Sequence, residues 1–256
     1  MVLNLKGGGV VSSILCFSGG KDSTALLIRL LELNTPPDRI LFADVGADAE
    51  FEETYAFIDK VEKTLSVKIE RVQSERYTFD SYFYSPISRG ARKGLLRGFP
   101  PTASPGCSYR RELKIRPLLA AQGTGNLIYL GFAADEKERA TRSVYRSLHN
   151  QYAFPLVTWG MTEADCMTLC QSYDLVHPLY AYFSRLGCWQ CPKQSLKSLR
   201  ALYQHWPEKW AKLEQYQRDC AWNFQPKRSV FDLTKRFEQE GIRRNDNDEK
   251  AAAEMA

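Results

Sequence analysis

A glycine-rich turn near the N-terminus constrains the fold more than any other feature of the sequence. It follows a short apolar run at residues 10–17 and precedes a stretch whose leucines recur at helical spacing. Two adjacent glycines let backbone N–H groups approach an anion closely, and the N-terminus of the following helix adds a partial positive charge. The sequence therefore predicts a strand, a phosphate-binding turn and a helix, with the turn formed by Ser18, Gly19, Gly20, Lys21, Asp22 and Ser23.

A simpler interpretation of the turn is a pair of glycines ahead of a helix that Asp22 or Ser23 caps. In the phosphate-binding interpretation, Lys21 supplies a point charge. Asp22 would then hold Mg²⁺, whose own charge makes a carboxylate useful beside phosphates. The turn is not a Walker P-loop, because the G-x-x-x-x-G-K-[ST] spacing is absent.

Short apolar strands alternate with helical patterns along most of the chain, which is typical of a parallel sheet covered by helices on both faces. The predicted fold class is therefore α/β, a doubly wound, Rossmann-like parallel sheet with a helical C-terminal extension. We expect a main domain over residues 1–195, the extension over 196–240 and a disordered tail over 241–256. Strands are predicted at 10–17, 40–45, 67–72 and 127–132, with a fifth ending at 154–157, and helices at 52–65, 111–121, 162–172, 195–203 and 207–220.

Several further motifs follow the turn along the chain. They are ADVG at 43–46 with EET at 52–54, CSYRRELKIRPL at 107–118, Gly131 with DEKER at 135–139, and HPLY at 177–180 ahead of GCWQCP at 187–192. The turn is similar to the SGGxDS pyrophosphate loop of the N-type ATP pyrophosphatases. The later motifs resemble those of one branch of that family, which contains the phosphoadenosine phosphosulfate (PAPS) reductases and the sulfate adenylyltransferase small subunits. The resemblance implies an adenine nucleotide α-hydrolase-like fold.

The resemblance also implies roles for individual residues. ATP and Mg²⁺ would be the nucleotide and its metal, and Lys21, Asp22 and Lys114 would be catalytic. Besides the six residues of the turn, Asp44 and Gly131 would bind the nucleotide. The substrate anion would be bound by Arg110, Arg111, Lys114 and Arg139.

Two departures from the reductases decide which activity the resemblance implies. Reductases usually carry an altered loop, whereas the loop is complete here, which favours ATP. They also end in a catalytic cysteine within a Glu-Cys-Gly-Leu-His-type tail, and no such sequence follows Cys220. We therefore expect an enzyme that splits ATP between the α and β phosphates and adenylylates an acceptor for iron–sulfur-dependent sulfur transfer. A sulfonucleotide reductase and a non-catalytic nucleotide- or nucleic-acid-binding module are the alternatives.

Three of the seven cysteines are predicted to hold a metal centre. Cys188 and Cys191 form a CxxC motif, a spacing that lets two thiolates reach one metal or cluster. The resemblance places Cys107 where relatives carry further cluster ligands. Three cysteines would leave one iron of a [4Fe–4S] cluster open to sulfide or substrate, as in ATP-dependent tRNA 2-thiolation enzymes. Zinc, with His177 or another cysteine as the fourth ligand, and a redox disulfide are the alternatives.

The remaining cysteines, Cys16, Cys166, Cys170 and Cys220, are predicted to be packing residues, as buried free thiols usually are. Seven is an odd number in a chain of 256 residues, far longer than disulfide-stapled secreted domains, so we expect a cytoplasmic protein. No apolar run approaches the roughly 18–20 residues that cross a bilayer, and no membrane partner is expected.

Positive charge is concentrated in one segment of a chain whose formal charge is only +5. Residues 76–116 contain nine lysines and arginines against Asp80 and Glu112, a local charge of +7. Guanidinium groups pair with phosphate, so the segment is predicted to bind a substrate anion or a nucleic-acid backbone, a solvated loop being the alternative. The expected partners are a nucleotide substrate, a sulfur donor or acceptor protein, and tRNA or DNA. Five aromatic residues near the start of this segment have two alternative roles, stacking on bases or packing in the core. They are Tyr77, Phe79, Tyr82, Phe83 and Tyr84.

Overall fold

The computed structural model describes residues 12–100, 106–142 and 149–245. The described chain forms two compact units that are each assembled from separate segments. Unit 1 comprises Met1–Asp44, Glu52–Glu75 and Leu113–Pro178, and unit 2 comprises Val45–Phe51, Arg76–Glu112 and Leu179–Ala256. The domain limits expected at residues 195 and 240 stay a prediction, and residues 246–256 of the expected tail lie outside the described residues.

Unit 1 is built on a five-stranded parallel sheet with the order β3-β2-β1-β4-β5. The chain leaves β1 in one direction to form β2 and β3 and returns to its other side for β4. Open sheets bind ligands at such a switch point, outside the carboxyl ends of the strands. The strands are β1 (Ser13–Phe17), β2 (Arg39–Ala43), β3 (Glu70–Val72), β4 (Leu127–Leu130) and β5 (Gln151–Ala153).

Apolar side chains cover both faces of this sheet, as the doubly wound prediction requires. Leu15 and Phe42 face a large core that includes buried residues of four helices, whereas Ile14 and Ile128 face a smaller core on the other side. The predicted fold class is therefore confirmed. The helices of unit 1 are α1 (Lys21–Glu32), α2 (Glu52–Leu65), α5 (Arg116–Gln122), α6 (Pro155–Thr158) and α7 (Glu163–Ser172), with a 3-10 helix at Ala134–Arg139.

Two local predictions were wrong. The fifth strand was expected to end at 154–157, but it ends at Ala153, and Pro155 begins a short helix instead. Proline has no N–H for a sheet ladder and its fixed φ suits a first helical turn. Neither Asp22 nor Ser23 caps α1, because the helix begins one residue earlier, at Lys21, with Gly20 at the N-cap.

The helix predicted at 111–121 exists but has an irregular start. Helix α4 (Ser108–Arg110) continues through a π-helical turn at Arg111–Ile115 into α5. Pro117 lies in the first turn of α5, where its missing N–H costs no hydrogen bond. π-helical turns inside helices are rare, and many of those that occur lie at functional sites.

Unit 2 consists of helices and loops around an aromatic core. Trp210 and Phe237 are fully buried, with ring centroids 5.6 Å apart, and Phe83 and Tyr216 are 4.5 Å apart. This unit contains the predicted C-terminal helices. Besides α4, its helices are α3 (Phe79–Phe83), α8 (Leu196–His205), α9 (Pro207–Asp219) and α10 (Val230–Gln239). Among the residues that the structure describes, no helix has both the length and the apolar character needed to cross a membrane.

Candidate functional site

The predicted phosphate-binding turn lies directly after the central strand β1. Gly19 has φ = +74°, a left-handed conformation that favours glycine. The Ser23 hydroxyl donates to the carbonyl oxygen of Gly20 (3.0 Å) and accepts from the backbone N–H of Ser18 (3.1 Å). Ser23 therefore closes the turn on itself, which explains why it does not cap the helix.

The N-terminus of α1 is suited to an anion. Its N-cap residue is Gly20, so the 12-residue helix has no side-chain cap at this position. The N–H groups at a helix N-terminus and the helix dipole together attract a phosphate. The predicted phosphate role of Gly19 and Gly20 is thus compatible with the backbone geometry.

Lys21 forms ion pairs with two carboxylates, that of Asp22 and that of Glu163, a residue that the sequence analysis did not identify. The Lys21 ammonium lies 2.5 Å from Oε2 of Glu163 and 3.3 Å from Oδ1 of Asp22. Burial raises the pKa of Asp22, and the neighbouring Lys21 partly opposes that rise. The Oδ1 atom is buried and accepts no hydrogen bond from any described residue. A buried carboxylate oxygen in this state is a fitting ligand for Mg²⁺ beside phosphates.

Gly131 and His177 support the turn from two sides. Gly131 follows β4, and a Cβ atom there would lie 3.0 Å from backbone atoms of Asp22 and Ser23. A Cβ on Gly19 would lie 3.8 Å from the imidazole of His177, whose ring packs 4.7 Å from that of Phe57. Burial lowers the pKa of His177 to about 4, so the imidazole is neutral at pH 7. Gly131 thus permits close packing of β4 against the start of α1.

Asp44 lies at the carboxyl end of β2, the neighbour of β1. It is buried, its Oδ1 accepts from the Tyr55 hydroxyl at 2.6 Å, and its Oδ2 accepts from the Gln73 amide at 2.7 Å. Its backbone N–H donates to the carbonyl oxygen of Val72. The structure therefore fixes Asp44 in one orientation at the edge where the nucleotide was predicted to bind.

The four residues predicted to bind the substrate anion have different surroundings. Arg110 is exposed, and Arg111 is exposed and lies 3.0 Å from the Glu112 carboxylate. Lys114 is half-buried in the π-helical turn. Arg139 pairs with Glu136 at 2.5 Å and stacks over the Phe132 ring, so a carboxylate already compensates its charge. Arg110 and Arg111 belong to unit 2, whereas Lys114 and Arg139 belong to unit 1.

The three proposed metal ligands all belong to unit 2. Cys188 and Cys191 are joined by a turn in which the N–H of Cys191 donates to the carbonyl oxygen of Cys188 (3.1 Å). Burial raises the pKa of Cys191, the charge of Cys107 raises it further, and the backbone N–H of Lys193 opposes the rise. Cys107 thus lies within electrostatic range of Cys191. Across the described residues, however, no three cysteine, histidine, aspartate or glutamate side chains are close enough together to hold a metal ion.

The other four cysteines are placed as packing residues. Cys166 and Cys170 on α7 are completely buried in the larger core, and burial raises the pKa of each thiol to about 12. Cys16 lies on β1, where burial raises the pKa of its thiol to about 11. Cys220 is buried in unit 2. All seven cysteines are free thiols. Phe79, Tyr82 and Phe83 are likewise buried, so core packing rather than base stacking is their role.

A comparison with known protein families shows the family to which this chain belongs. The family model of the phosphoadenosine phosphosulfate reductase domain matches residues 12–194. The chain belongs to this family. An uncharacterized protein of Methanocaldococcus jannaschii is 25% identical over 218 residues, which are 81% of this chain and 42% of that protein. The chain thus spans less than half the length of this relative.

Two solved structures show weaker similarity. A PAPS reductase from Candida auris, in a phosphate complex, has a TM-score of 0.46 and 14% identity, covering 69% of this chain and 81% of its own. A U34-tRNA thiolase from Methanococcus maripaludis with its [4Fe–4S] cluster has a TM-score of 0.42 and 13% identity, covering 90% and 83%. These likenesses are too distant to transfer a mechanism to this member of the PAPS reductase family.

Sequence reasoning missed four residues at the edge of this PAPS reductase family domain where the nucleotide was predicted to bind. Glu163 is 142 positions from Lys21, and its place in the first turn of α7 suggests only a helix-dipole role. Tyr55 and Gln73 hold Asp44, and the only signal for them was the general rule that parallel strands end at one edge. His177 was noticed for its motif, yet its contact with the turn was not predicted.

Proposed function

We propose that this chain binds ATP at the turn after β1, breaks the bond between the α and β phosphates and transfers AMP to an acceptor. The geometry of the turn supports this proposal more than any other observation. Gly19 is left-handed, the N-terminus of α1 has no side-chain cap among the described residues, and Lys21 and Asp22 lie beside it. The turn thus combines donors for a pyrophosphate with a carboxylate for its metal.

The residues of unit 1 have separate tasks in this reaction. The N–H groups of the turn would bind the β and γ phosphates, and the Lys21 ammonium would stabilise the charge that develops as pyrophosphate leaves. Asp22 would hold Mg²⁺, which neutralises phosphate charge when bound. Asp44, fixed by Tyr55 and Gln73, would contact the adenosine. Lys114, on the π-helical turn, would stabilise the α-phosphate.

The balance of the reaction is that of an adenylyl transfer. An oxygen of the acceptor attacks the α-phosphorus, the new P–O bond forms, and the bond to the β-phosphate oxygen breaks. Pyrophosphate leaves with the bonding electron pair, and the acceptor proton passes to solvent. A sulfide-level sulfur donor then attacks the acceptor carbon and displaces AMP, which leaves with the acceptor oxygen. A C–S bond thus replaces the C–O bond, and no oxidant or reductant is needed.

The thiols of unit 2 are the proposed site for the sulfur. Cys107, Cys188 and Cys191 match a [4Fe–4S] cluster in number and ligand type, and the charge of Cys107 acts on Cys191. The described side chains do not form a closed metal site, so no step is assigned to a cluster or to zinc. We propose that these three thiols hold the group that supplies the sulfur and that they remain reduced, as thiols do in the cytoplasm.

The first experiment tests the ATP part. We expect the purified chain to release pyrophosphate from ATP when total tRNA is present. Lys21→Ala should lower kcat/KM by about 10²- to 10³-fold, because the ammonium that stabilises the leaving pyrophosphate is lost. Lys60→Ala, in the same unit, is the matched control and should leave the rate unchanged. Failure of isothermal titration to detect binding of a non-hydrolysable ATP analogue would sink the ATP proposal.

The second experiment tests the thiol part by metal analysis. Protein purified without oxygen should contain iron and acid-labile sulfide with visible absorption, and Cys191→Ser should remove both. Cys16→Ser, which changes a thiol of unit 1, should retain them. Zinc in place of iron would support the structural-zinc alternative, and absence of both metals with an unchanged Cys191→Ser variant would refute any metal role of these cysteines.

A second candidate function follows from the family itself. The matching family model is that of a PAPS reductase domain, so a sulfonucleotide is the competing substrate. A reductase would release sulfite from PAPS in the presence of reduced thioredoxin and would need no ATP. Sulfite formation without ATP would favour that candidate, whereas AMP and pyrophosphate formation would favour adenylyl transfer.

A further inference from the structure

A basic hairpin in unit 2, residues 85–97, takes no part in the proposed chemistry. Its arms are joined by an antiparallel bridge between Pro86 and Leu96. Backbone hydrogen bonds run from the N–H of Ile87 to the carbonyl oxygen of Leu95 (2.8 Å) and from that of Arg97 to the carbonyl oxygen of Ser85 (3.0 Å). Every residue from 88 to 95 is exposed. The hairpin is therefore fixed at its base and presents its tip to solvent.

The tip has uncompensated positive charge. The sequence contains no aspartate or glutamate between Asp80 and Glu112, and the tip holds Arg89, Arg92 and Lys93. In the described portion of the chain, none of these three side chains pairs with a carboxylate. Three cations within five residues thus attract anions without a competing internal partner.

Arg97, the fourth cation of the hairpin, has a different role. Its guanidinium donates to the Ser85 hydroxyl and to the carbonyl oxygen of Pro86, each at 3.0 Å, and stacks over the Tyr82 ring at 4.3 Å. These contacts join the two arms at the base. Arg97 consequently stabilises the hairpin and leaves the three cations of the tip for a ligand.

Trp222 orders the tip from the side. The guanidinium of Arg92 lies 4.4 Å from the centre of the Trp222 ring, and the indole N–H donates to the carbonyl oxygen of Arg97 (3.2 Å). Stacking on an aromatic ring leaves the donors of a guanidinium available for in-plane hydrogen bonds. Arg92 is therefore held in a geometry that can bind two oxygens of one phosphate.

The base of the hairpin lies close to one proposed sulfur ligand. The Tyr109 hydroxyl donates to the carbonyl oxygen of Gly98 (2.6 Å), directly after the hairpin. Tyr109 is only two residues from Cys107 along the chain. A polyanion bound along the hairpin would thus run near the Cys107 thiol within unit 2.

We propose that the basic hairpin binds the phosphodiester backbone of a nucleic acid that is the acceptor of the reaction. The proposal rests on the proposed function, because it names the class of that acceptor. Arginines suit phosphate recognition by their bidentate geometry. Leu95 is the one large apolar residue at the tip, which is too little for insertion into a bilayer.

Direct binding measurements test the hairpin without ATP. The probes are a fluorescent RNA stem-loop and a DNA duplex of the same sequence, titrated with the full chain between about 50 mM and 200 mM salt. The triple variant Arg89→Ala, Arg92→Ala, Lys93→Ala should bind about 10- to 100-fold more weakly, and its log K against log salt should be shallower by about 2 to 3. The matched control removes Lys60, Lys63 and Lys68 of unit 1, all exposed.

Each outcome either supports or overturns the proposal. Preference for the RNA or for the DNA identifies the acceptor, and loss of binding only in the hairpin variant supports the proposal. Equal affinities of wild type, variant and control, or wild-type binding to anionic phospholipid vesicles or polyglutamate but to neither nucleic acid, would overturn it. Nucleic-acid binding without any pyrophosphate release would instead refute the proposed function while retaining the hairpin's role.

Discussion

The turn after β1 and the turn between Cys188 and Cys191 are both short loops rich in reactive groups, but they differ in how complete they are. In the first, Ser23 closes the loop by hydrogen bonds, and Lys21 has carboxylate partners. In the second, the indole nitrogen of Trp189 and the side-chain oxygen of Gln190 are buried without a hydrogen-bond partner in the described residues. Buried polar atoms usually have partners, so a bound group would complete the second turn at two atoms, whereas in the first turn Asp22 Oδ1 alone among residues 18–23 is in this state.

The spacing of two cysteines alone does not define a metal or sulfur site. Cys166 and Cys170 are as regularly spaced as Cys188 and Cys191, yet they are fully buried within a hydrophobic core. Cys191 is only half-buried, and although burial raises the pKa of its thiol, the backbone N–H of Lys193 and the charges of Lys193 and Arg185 oppose that rise. The surroundings, more than the motif, separate a packing thiol from a ligand.

Thiol alkylation tests the contrast between the α7 cysteines and those of unit 2 most directly, and it has the largest expected effect. With pKa values of about 12, Cys166 and Cys170 are almost wholly protonated at pH 8 and are shielded from solvent. We expect iodoacetamide to modify them at least about 1,000-fold more slowly than a free, exposed cysteine. Mass spectrometry of peptides from the native, metal-free chain measures the rates.

Half-buried Cys107 and Cys188 should be modified first in the same sample. Denatured protein serves as the control, because all seven thiols should then react at similar rates. Early modification of Cys166 in native protein would contradict the assignment of the α7 cysteines to the core.

The pH dependence of stability tests the turn after β1, which packs against the buried imidazole of His177. The pKa of His177 is about 4 in the folded chain and 6.5 when solvated, so the unfolded state binds more protons between these values. The free energy of unfolding should therefore fall as the pH drops from about 6.5 to about 4, by about 3 kcal/mol from this residue. Urea unfolding at several pH values measures it.

The variant His177→Gln isolates this contribution, because its stability should depend less on pH over that interval than that of the wild type. His149→Gln, at an exposed position, is the control and should retain the full slope. Identical slopes for wild type and His177→Gln would mean that the imidazole is not buried behind the turn.

Neutralising Glu163 should give the smallest effect. Its carboxylate lies 2.5 Å from the Lys21 ammonium and competes with phosphate for it, although the Glu163 side chain is 45% exposed. We expect Glu163→Gln to bind ATP about 2- to 5-fold more tightly, since exposed ion pairs contribute less than about 1 kcal/mol. Isothermal titration compares it with Glu32→Gln, at the other end of α1, which should bind as the wild type does.

Local features of the fold and site could be predicted from the sequence. Six consecutive residues define the turn after β1, so its place between a strand and a helix follows from neighbouring residues alone. Helix α2 matches its predicted limits, and Thr162 caps α7 as expected, because capping and periodicity act within a few residues.

Contacts between distant segments could not be predicted. The pairing of Lys21 with Glu163 and the fixing of Asp44 by Gln73 depend on which loops the sheet order brings to one edge. The end of β5 was misplaced because an apolar run such as residues 154–157 suits a strand or a short helix equally well. Pro155 begins the helix in the structure. Its presence in the sequence does not distinguish the two, because prolines also occur at strand ends.

The division into two units limits how the chain can be taken apart. Their segments alternate along the sequence, so the path changes unit five times between residues 44 and 179. No single cut would release either unit as one continuous polypeptide. Truncation from either end therefore cannot isolate the thiol-bearing unit, and its cysteines have to be studied within the whole chain.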